Sequence, residues 1–238
     1  AFRRQTQMVF QNPFDTFDPR HSIGKILTDT MKLHHIGGSE AERRELAVQE
    51  LASAGLLPAE SFLGRFPYEL SGGQLQRRSI LRSMLLGPKV MVADEPVSML
   101  DVSIRADIIN LLYETTRREN TAMVFISHDI TTTRYISDPI AVMYLGRIVE
   151  LGQADEVVTN PQHPYTQALI SNCGSIAPRE KRQAIHLPGE PPTPVDIPAG
   201  CPFRPRCPRA AAACREREQT LRDAGANHFV CCSQVTGL

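Results

Sequence analysis

The sequence predicts an α/β fold built on a parallel sheet, and three observations predict it. Continuous apolar runs, KVMVAD at residues 89–94 and AMVFIS at 122–127, have the length and composition of strands buried on both faces. Segments with helical apolar spacing separate them, and strand, helix, strand alternation is the pattern of α/β proteins. Each run also ends in a polar or acidic residue, as strands do where a ligand lies at the C-terminal edge of a sheet.

The elements follow in order. TQMVF at residues 6–10 reads as a short buried strand ending at Gln11, and the Pro/Asp-rich stretch to residue 20 reads as a loop. Two helices are expected next, the second over residues 39–56, where Ser39 and Glu42 have capping-box spacing and Gly55 and Pro58 mark the stop. A helix over 74–86 carries Leu75, Ile80, Leu81, Met84 and Leu85 and ends at Gly87-Pro88. Ile104, Ile108, Leu111 and Leu112 mark another amphipathic helix, and residues 140–152 read as two strands around Gly146. Beyond about residue 160 the texture changes. Pro188, Pro191, Pro192, Pro194 and Pro198 make an extended linker, and five of the six cysteines follow it. This divides the chain into 1–160 and 161–238.

Bulk composition excludes several functions. Lys+Arg and Asp+Glu are equal at 26 each in 238 residues, so no net charge favours nucleic acid or acidic lipid. Apolar runs fall far short of the roughly 20 residues that span a bilayer, and no secretory signal opens the chain, which points to the cytosol. The chain begins at Ala1 already patterned like the middle of a domain, and an N-terminally truncated product is the expectation.

Several residues carry chemistry by type and position. Ser71, Gly72, Gly73 and Gln74 stand at a helix start, where backbone N–H groups attract an anion and glycine lets that backbone approach closely. Yet no G-x-x-x-x-G-K-[ST] phosphate loop occurs in the chain. At Gly24-Lys25 the first glycine is replaced by Pro19 and the hydroxyl by Ile26. Asp94 and Glu95 place two carboxylates at a strand end, the first suited to Mg²⁺ and the second to take a proton from water. A strand that merely ends in charged residues is the plainer alternative. Ser98 and Asp101 have the types that cap a following helix. Gln11 and His128 each follow a strand, positions that by themselves suit a structural role equally well.

The order strand-Gln11, Leu70-Ser71-Gly72-Gly73-Gln74, apolar-Asp94-Glu95, Ser98 to Asp101, strand-Ser127-His128 resembles the ATPase subunits of ABC transporters over essentially the whole chain. The resemblance implies a P-loop NTPase-like ABC ATPase domain, incomplete at its N-terminus, with a helical signature subdomain. It implies ATP and Mg²⁺ as ligands. Gln11 becomes the Q-loop glutamine, residues 70–74 the signature motif, Asp94 the Walker B aspartate, Glu95 the general base, Asp101 the D-loop aspartate and His128 the switch histidine. In that family two subunits close face to face, and the signature motif of one holds the nucleotide bound by the phosphate loop of the other. The departure from the pattern is the absent phosphate loop with its lysine, and the aromatic that stacks on adenine. The resemblance therefore carries trans binding to these residues and leaves the chain alone expected to be inactive.

MYLGRIVELG at 143–152, NPQHPYTQALI at 160–170 and LPGEPPTPVDIPAGCPFRPRCP at 187–208 resemble the C-terminal extension of the dipeptide/oligopeptide and nickel uptake branch. That branch implies ATP-driven import of peptides or similar solutes at the cytoplasmic face of the plasma membrane. It also implies membrane-spanning permease subunits, a second ATPase and a solute-binding protein as partners. A soluble ABC ATPase of DNA maintenance is the rival, but such proteins carry long insertions and Gln11 and Ser71 are only 60 positions apart. A nonhydrolytic remnant is the other rival.

Cys201, Cys207, Cys214 and Cys231, with Cys232 adjacent, lie in a chain without an export signal, which disfavours disulfides. Four thiolates suit zinc or an iron–sulfur cluster, yet the spacing lacks the short knuckles of structural zinc and the ferredoxin runs. Unligated cysteines are the plain alternative. The resembled branch carries a [4Fe–4S] cluster on this cysteine pattern, which makes the cluster the first expectation and zinc the second. Arg204, Arg206 and Arg209 would offset thiolate charge. Cys173 reads as a small hydrophobe inside a helix.

Overall fold

The computed structural model describes residues 2–173, 183–193, 195, 197, 199–216 and 219–235. Pro194 and Pro198 of the proline-rich linker lie outside the described residues. Two compact units divide the chain, Ala1–His128 and Asp129–Leu238.

The first unit opens with a single helical turn, α1 (Phe2–Gln5), followed by β1 (Thr6–Val9). Then come α2 (Ile23–Leu33), α3 (Glu40–Ser53), α4 (Ala59–Leu63), α5 (Gly72–Met84), β2 (Val90–Asp94), α6 (Val102–Arg118) and β3 (Ala122–Ile126). The three strands form a parallel sheet in the order β1-β2-β3. The sequence leads to an expectation of two helices between β1 and α5, and the structure has three α-helices there. Ile23, Leu27 and Met31 form one stripe of α2 at four-residue spacing and bury fully with Leu51, Phe62, Leu63 and Leu75. Each such side chain contributes about 1.5–3 kcal/mol of burial. Gly24 permits this, because a Cβ there would stand 2.8 Å from the Leu63 carbonyl oxygen. The glycine of the false phosphate loop is thus a packing residue between α2 and α4.

Strands predicted to be covered on both faces are covered on one. Val9, Met91 and Ala93 are buried, whereas Met8, Val124 and Ile126 on the other face are 37, 53 and 46% exposed. Continuous apolar composition signals that both faces suit burial; the described helices of this unit bury one of them.

The second unit contains α7 (Ile130–Ile136), β4 (Pro139–Tyr144), β5 (Arg147–Gln153), α8 (Ala154–Thr159), α9 (Pro164–Ser171), α10 (Ala213–Glu216), β6 (Arg222–Asp223) and β7 (Phe229–Val230). Its sheet runs β4-β5-β7-β6, antiparallel throughout. The β4–β5 hairpin turns on Leu145 and Gly146, with φ of 46° and 75°, a two-residue turn of the kind that matches strand twist. The textural change at residue 160 falls inside this unit, because β7 returns to pair with β5. Cys173 lies just past α9, half-buried against the unit's apolar core.

Candidate functional site

Parallel pairing brings the C-terminal ends of β1, β2 and β3 to one edge of the sheet, and four predicted residues stand there. Gln11 lies exposed two positions beyond Val9, Asp94 closes β2, Glu95 follows it, and His128 lies two positions beyond Ile126. Glu95 has a left-handed backbone, φ 44°. For a residue with a Cβ that conformation costs about 1–3 kcal/mol and persists only where the surroundings impose it. Three hydrogen bonds impose it here. The Glu95 N–H donates to the Ile126 carbonyl at 2.9 Å, and the Glu95 carbonyl accepts from the Ser98 N–H at 3.2 Å and the Ser98 hydroxyl at 3.0 Å. The carboxylate so aimed meets His128, whose Nδ1 lies 3.1 Å from each oxygen. With Nδ1 engaged, the ring leaves Nε2 for another group, and its side chain is 73% exposed.

Ser98 and Asp101 do not act as the caps their types suggest. Asp101 occupies the N-cap position of α6 without a side-chain cap bond, and the Ser98 hydroxyl is taken by the Glu95 carbonyl. Gln76 has a role that the motif reading did not assign. It is fully buried, and its Nε2 donates to the Phe10 carbonyl at 3.4 Å, tying α5 to the segment that carries Gln11. The available signal is a polar residue on the apolar face of a helix.

Ser71 to Gln74 form a second group at the start of α5. The Ser71 hydroxyl accepts from the Gln74 N–H at 3.3 Å, and Gln74 Oε1 accepts from the Ser71 N–H at 3.2 Å. This capping box leaves Gly72 and Gly73 as the donors of the first turn that have no partner within the helix. A Cβ on Gly73 would stand 2.7 Å from Ile104 Cγ2, so the glycine lets α5 lie on α6. No hydrogen bond joins this group to Glu95 or His128 among the described residues. The two constellations are distinct, a carboxylate in contact with an imidazole at the sheet edge and two glycine N–H groups at a helix start.

Cys173, Cys201, Cys207, Cys214 and Cys232 are free thiols. Cys201 donates its N–H to the Cys214 carbonyl at 2.8 Å, and Gly200, at φ 79°, passes so close to that carbonyl that a Cβ would not fit. Burial pushes the Cys201, Cys207 and Cys232 thiols up, and the charges of neighbouring thiols add to it. The thiols whose charges act on these three are those of Cys201, Cys214 and Cys232. Cys231, the expected fourth member, donates its N–H to the Val149 carbonyl at 2.8 Å. Among the described residues no three His, Cys, Asp or Glu side chains converge as a metal site. Of the three arginines expected to offset thiolate charge, Arg209 acts on Cys232, while Arg204 and Arg206 donate to the Ala199 and Pro188 carbonyls.

Comparison with known proteins gives two family matches, "ABC transporter" over residues 1–98 and "Oligopeptide/dipeptide transporter, C-terminal region" over 149–214. The chain is 45% identical to the oligopeptide transport ATP-binding protein AppF of Bacillus subtilis, over 98% of this chain and 70% of that protein. It is 42% identical to the dipeptide transport ATP-binding protein DppF of Escherichia coli, over 96% of this chain and 68% of the relative. A solved ATP-binding cassette, dimeric in a post-hydrolysis state with ADP and Pi, superposes with a TM-score of 0.55 at 27% identity, over 64% of each chain. A part of the ABC transporter complex cbiONQ from Clostridium perfringens gives 0.57 at 26%, over 66% of this chain and 61% of that one.

Proposed function

This chain belongs to the ATP-binding subunits of oligopeptide and dipeptide ABC transporters, and on that premise we propose that it hydrolyses ATP to drive the import of di- or oligopeptides or similar solutes. The observation that carries the reading is the contact of Glu95 with His128 at the sheet edge, with Glu95 locked in a left-handed backbone. Glu95 takes the proton of the attacking water. His128, oriented through Nδ1, offers Nε2 to the γ-phosphate, and Gln11 orders the water. Asp94 presents an oxygen ligand of the kind Mg²⁺ requires, and the ion when bound neutralises charge on the phosphate oxygens. The Ser71 hydroxyl and the Gly72 and Gly73 N–H groups grip the nucleotide of a second ATPase subunit, with Gln74 holding Ser71 and Asp101 beside the same dimer surface. The intact Glu95–His128 pair favours hydrolysis over a nonhydrolytic remnant, and the peptide-transport relatives favour import over DNA maintenance.

The partners are two membrane-spanning permease subunits, the second ATPase and a solute-binding protein. No helix among the described residues is long and apolar enough to cross a membrane, which suits peripheral attachment at the cytoplasmic face. We assign ATP chemistry to residues 1–160 and the extension to 161–238. The extension would hold a [4Fe–4S] cluster, or zinc as the alternative, on Cys201, Cys207, Cys214 and a thiol of the Cys231–Cys232 pair. The reading rests on the resembled branch, because among the described residues these side chains do not converge as a metal site, and no step of the ATP chemistry runs through the group. The test of the import reading is uptake of a labelled dipeptide by the assembled transporter in proteoliposomes. Ser71→Arg should abolish ATP-driven uptake while leaving the transporter assembled; normal pumping by that variant would overturn the reading.

A further inference from the structure

Helix α5 buries a cation that the ATPase chemistry does not use. Arg78 stands three positions from Leu75 and three from Leu81, on the stripe where helical spacing calls for an apolar side chain. It is 1% exposed, and its Nε, Nη1 and Nη2 all lie buried without a hydrogen-bond partner. A guanidinium keeps its charge at neutral pH, so its fork of N–H donors still calls for an acceptor. Burial, and after it the charge of Arg65, pulls the Arg78 pKa down from 12.5 to about 10. Among the described residues no carboxylate acts in the other direction.

What Arg78 does touch is an aromatic ring, whose π face attracts the charge but accepts no more than a weak hydrogen bond. Arg78 Cζ lies 5.0 Å from the centroid of Phe62 on α4, and Arg65 Cζ lies 4.6 Å from the same centroid. Two cations thus share one ring. One turn on from Arg78, Arg82 packs on Phe17 at 4.8 Å and donates to the Thr16 carbonyl at 3.1 Å. Among the described residues no ion pair joins Arg65, Arg78 or Arg82 to a carboxylate. Like charges gathered away from water repel, and donors left without acceptors are costly, so an anion would complete the arrangement. The guanidinium fork matches two oxygens of one oxyanion, and the enclosure of Arg78 requires a small one. We propose that Arg78 is the core of an oxyanion site between α4 and α5, taking a free tetrahedral anion of the phosphate or sulfate class, with Arg65 as its second cation. Arg65 is half-buried and its side chain makes no hydrogen bond among the described residues, which leaves it able to turn, admit the anion and cover it. A packing role alone would be served by an apolar side chain and leaves three buried donors without function.

The oxyanion site does not depend on the ATPase chemistry, and its test needs no nucleotide. The full chain is prepared as wild type, as Arg78→Met, which removes the charge, and as Arg78→Lys, which keeps the charge and removes the fork. Inorganic phosphate, and sulfate in a parallel series, is titrated calorimetrically with sodium chloride adjusted to hold ionic strength constant, and circular dichroism confirms each fold. Wild type should bind one oxyanion that Arg78→Met does not, and Arg78→Lys should bind it about tenfold more weakly. Any oxyanion held by the Gly72 and Gly73 N–H groups would persist in Arg78→Met, so the difference between the two proteins isolates the Arg78 site. Thermal unfolding gives a second readout. Phosphate at a hundredfold excess over its dissociation constant should raise the wild-type melting temperature by about 5–10 °C. Arg78→Met should not respond, and in chloride alone it should melt above the wild type, because an apolar side chain replaces an uncompensated buried charge. Equal oxyanion binding by wild type and a folded Arg78→Met would overturn the proposal, as would a wild type whose titration and melting ignore both oxyanions. If Arg78→Met does not fold, Arg78→Lys decides: the tenfold loss upholds the site, and unchanged affinity overturns it.

Discussion

His163 has a ring that must stay neutral. It is 1% exposed, its Nδ1 accepts from the Tyr165 N–H at 3.1 Å, and burial pulls its pKa down to about 4 from an ordinary value of 6.5. Between those two values the unfolded chain binds a proton that the folded chain refuses. The stabilisation is therefore complete above about pH 6.5 and is lost as pH falls towards 4. The full loss attributable to this residue is roughly 3 kcal/mol. Urea unfolding of wild type and His163→Asn across that range checks it, since asparagine keeps a capping oxygen and does not titrate. The wild-type stability should fall relative to the variant as pH drops, and parallel curves would contradict the assignment. At this scale the sequence showed identities better than conformations. Glu95 is recognisable from the strand before it, but its left-handed backbone depends on hydrogen bonds from Ser98 and to Ile126, the latter thirty-one positions away. No local pattern encodes such a contact.

Helix α5 shows what an element adds. Its N-terminus is legible, because Ser71 and Gln74 are three apart and satisfy each other's backbone groups. Its packing is not, because the need for glycine at Gly73 comes from Ile104 on α6. A valine there would overpack a stiff β-branched neighbour at a typical cost of about 1–3 kcal/mol. Gly73→Val should lower the melting temperature, and Ile104→Ala should restore part of the loss in the double variant. Equal melting of Gly73→Val and wild type would show that the two helices do not rely on that contact. Helix α3 gives a similar lesson. Ser39 caps it by accepting from the Glu42 N–H, but the Glu42 carboxylate accepts from Gly38 rather than Ser39, so the expected reciprocal box is shifted by one residue. Its end at Gly55 follows the sequence signal, with φ 71° and the Leu56 N–H donating back to the Leu51 carbonyl.

Across the whole molecule, the α/β class and the parallel sheet could be read from apolar runs, since β1, β2 and β3 all fall where KVMVAD, AMVFIS and TQMV stand. The return of β7 to β5 could not, because two residues, Phe229 and Val230, leave no periodicity to detect. Gln11, Asp94, Glu95 and His128 are spread over more than a hundred positions and reach one edge of the sheet only because parallel strands end together. The most direct test of the account is steady-state phosphate release by the assembled transporter carrying Glu95→Gln in this subunit and in every equivalent site of its partner. The amide keeps the shape of the carboxylate but cannot accept a proton, so turnover should fall about 10²–10⁴-fold while ATP remains bound. Turnover near that of the wild type would contradict the account, because the contact of Glu95 with His128 would then have no part in hydrolysis.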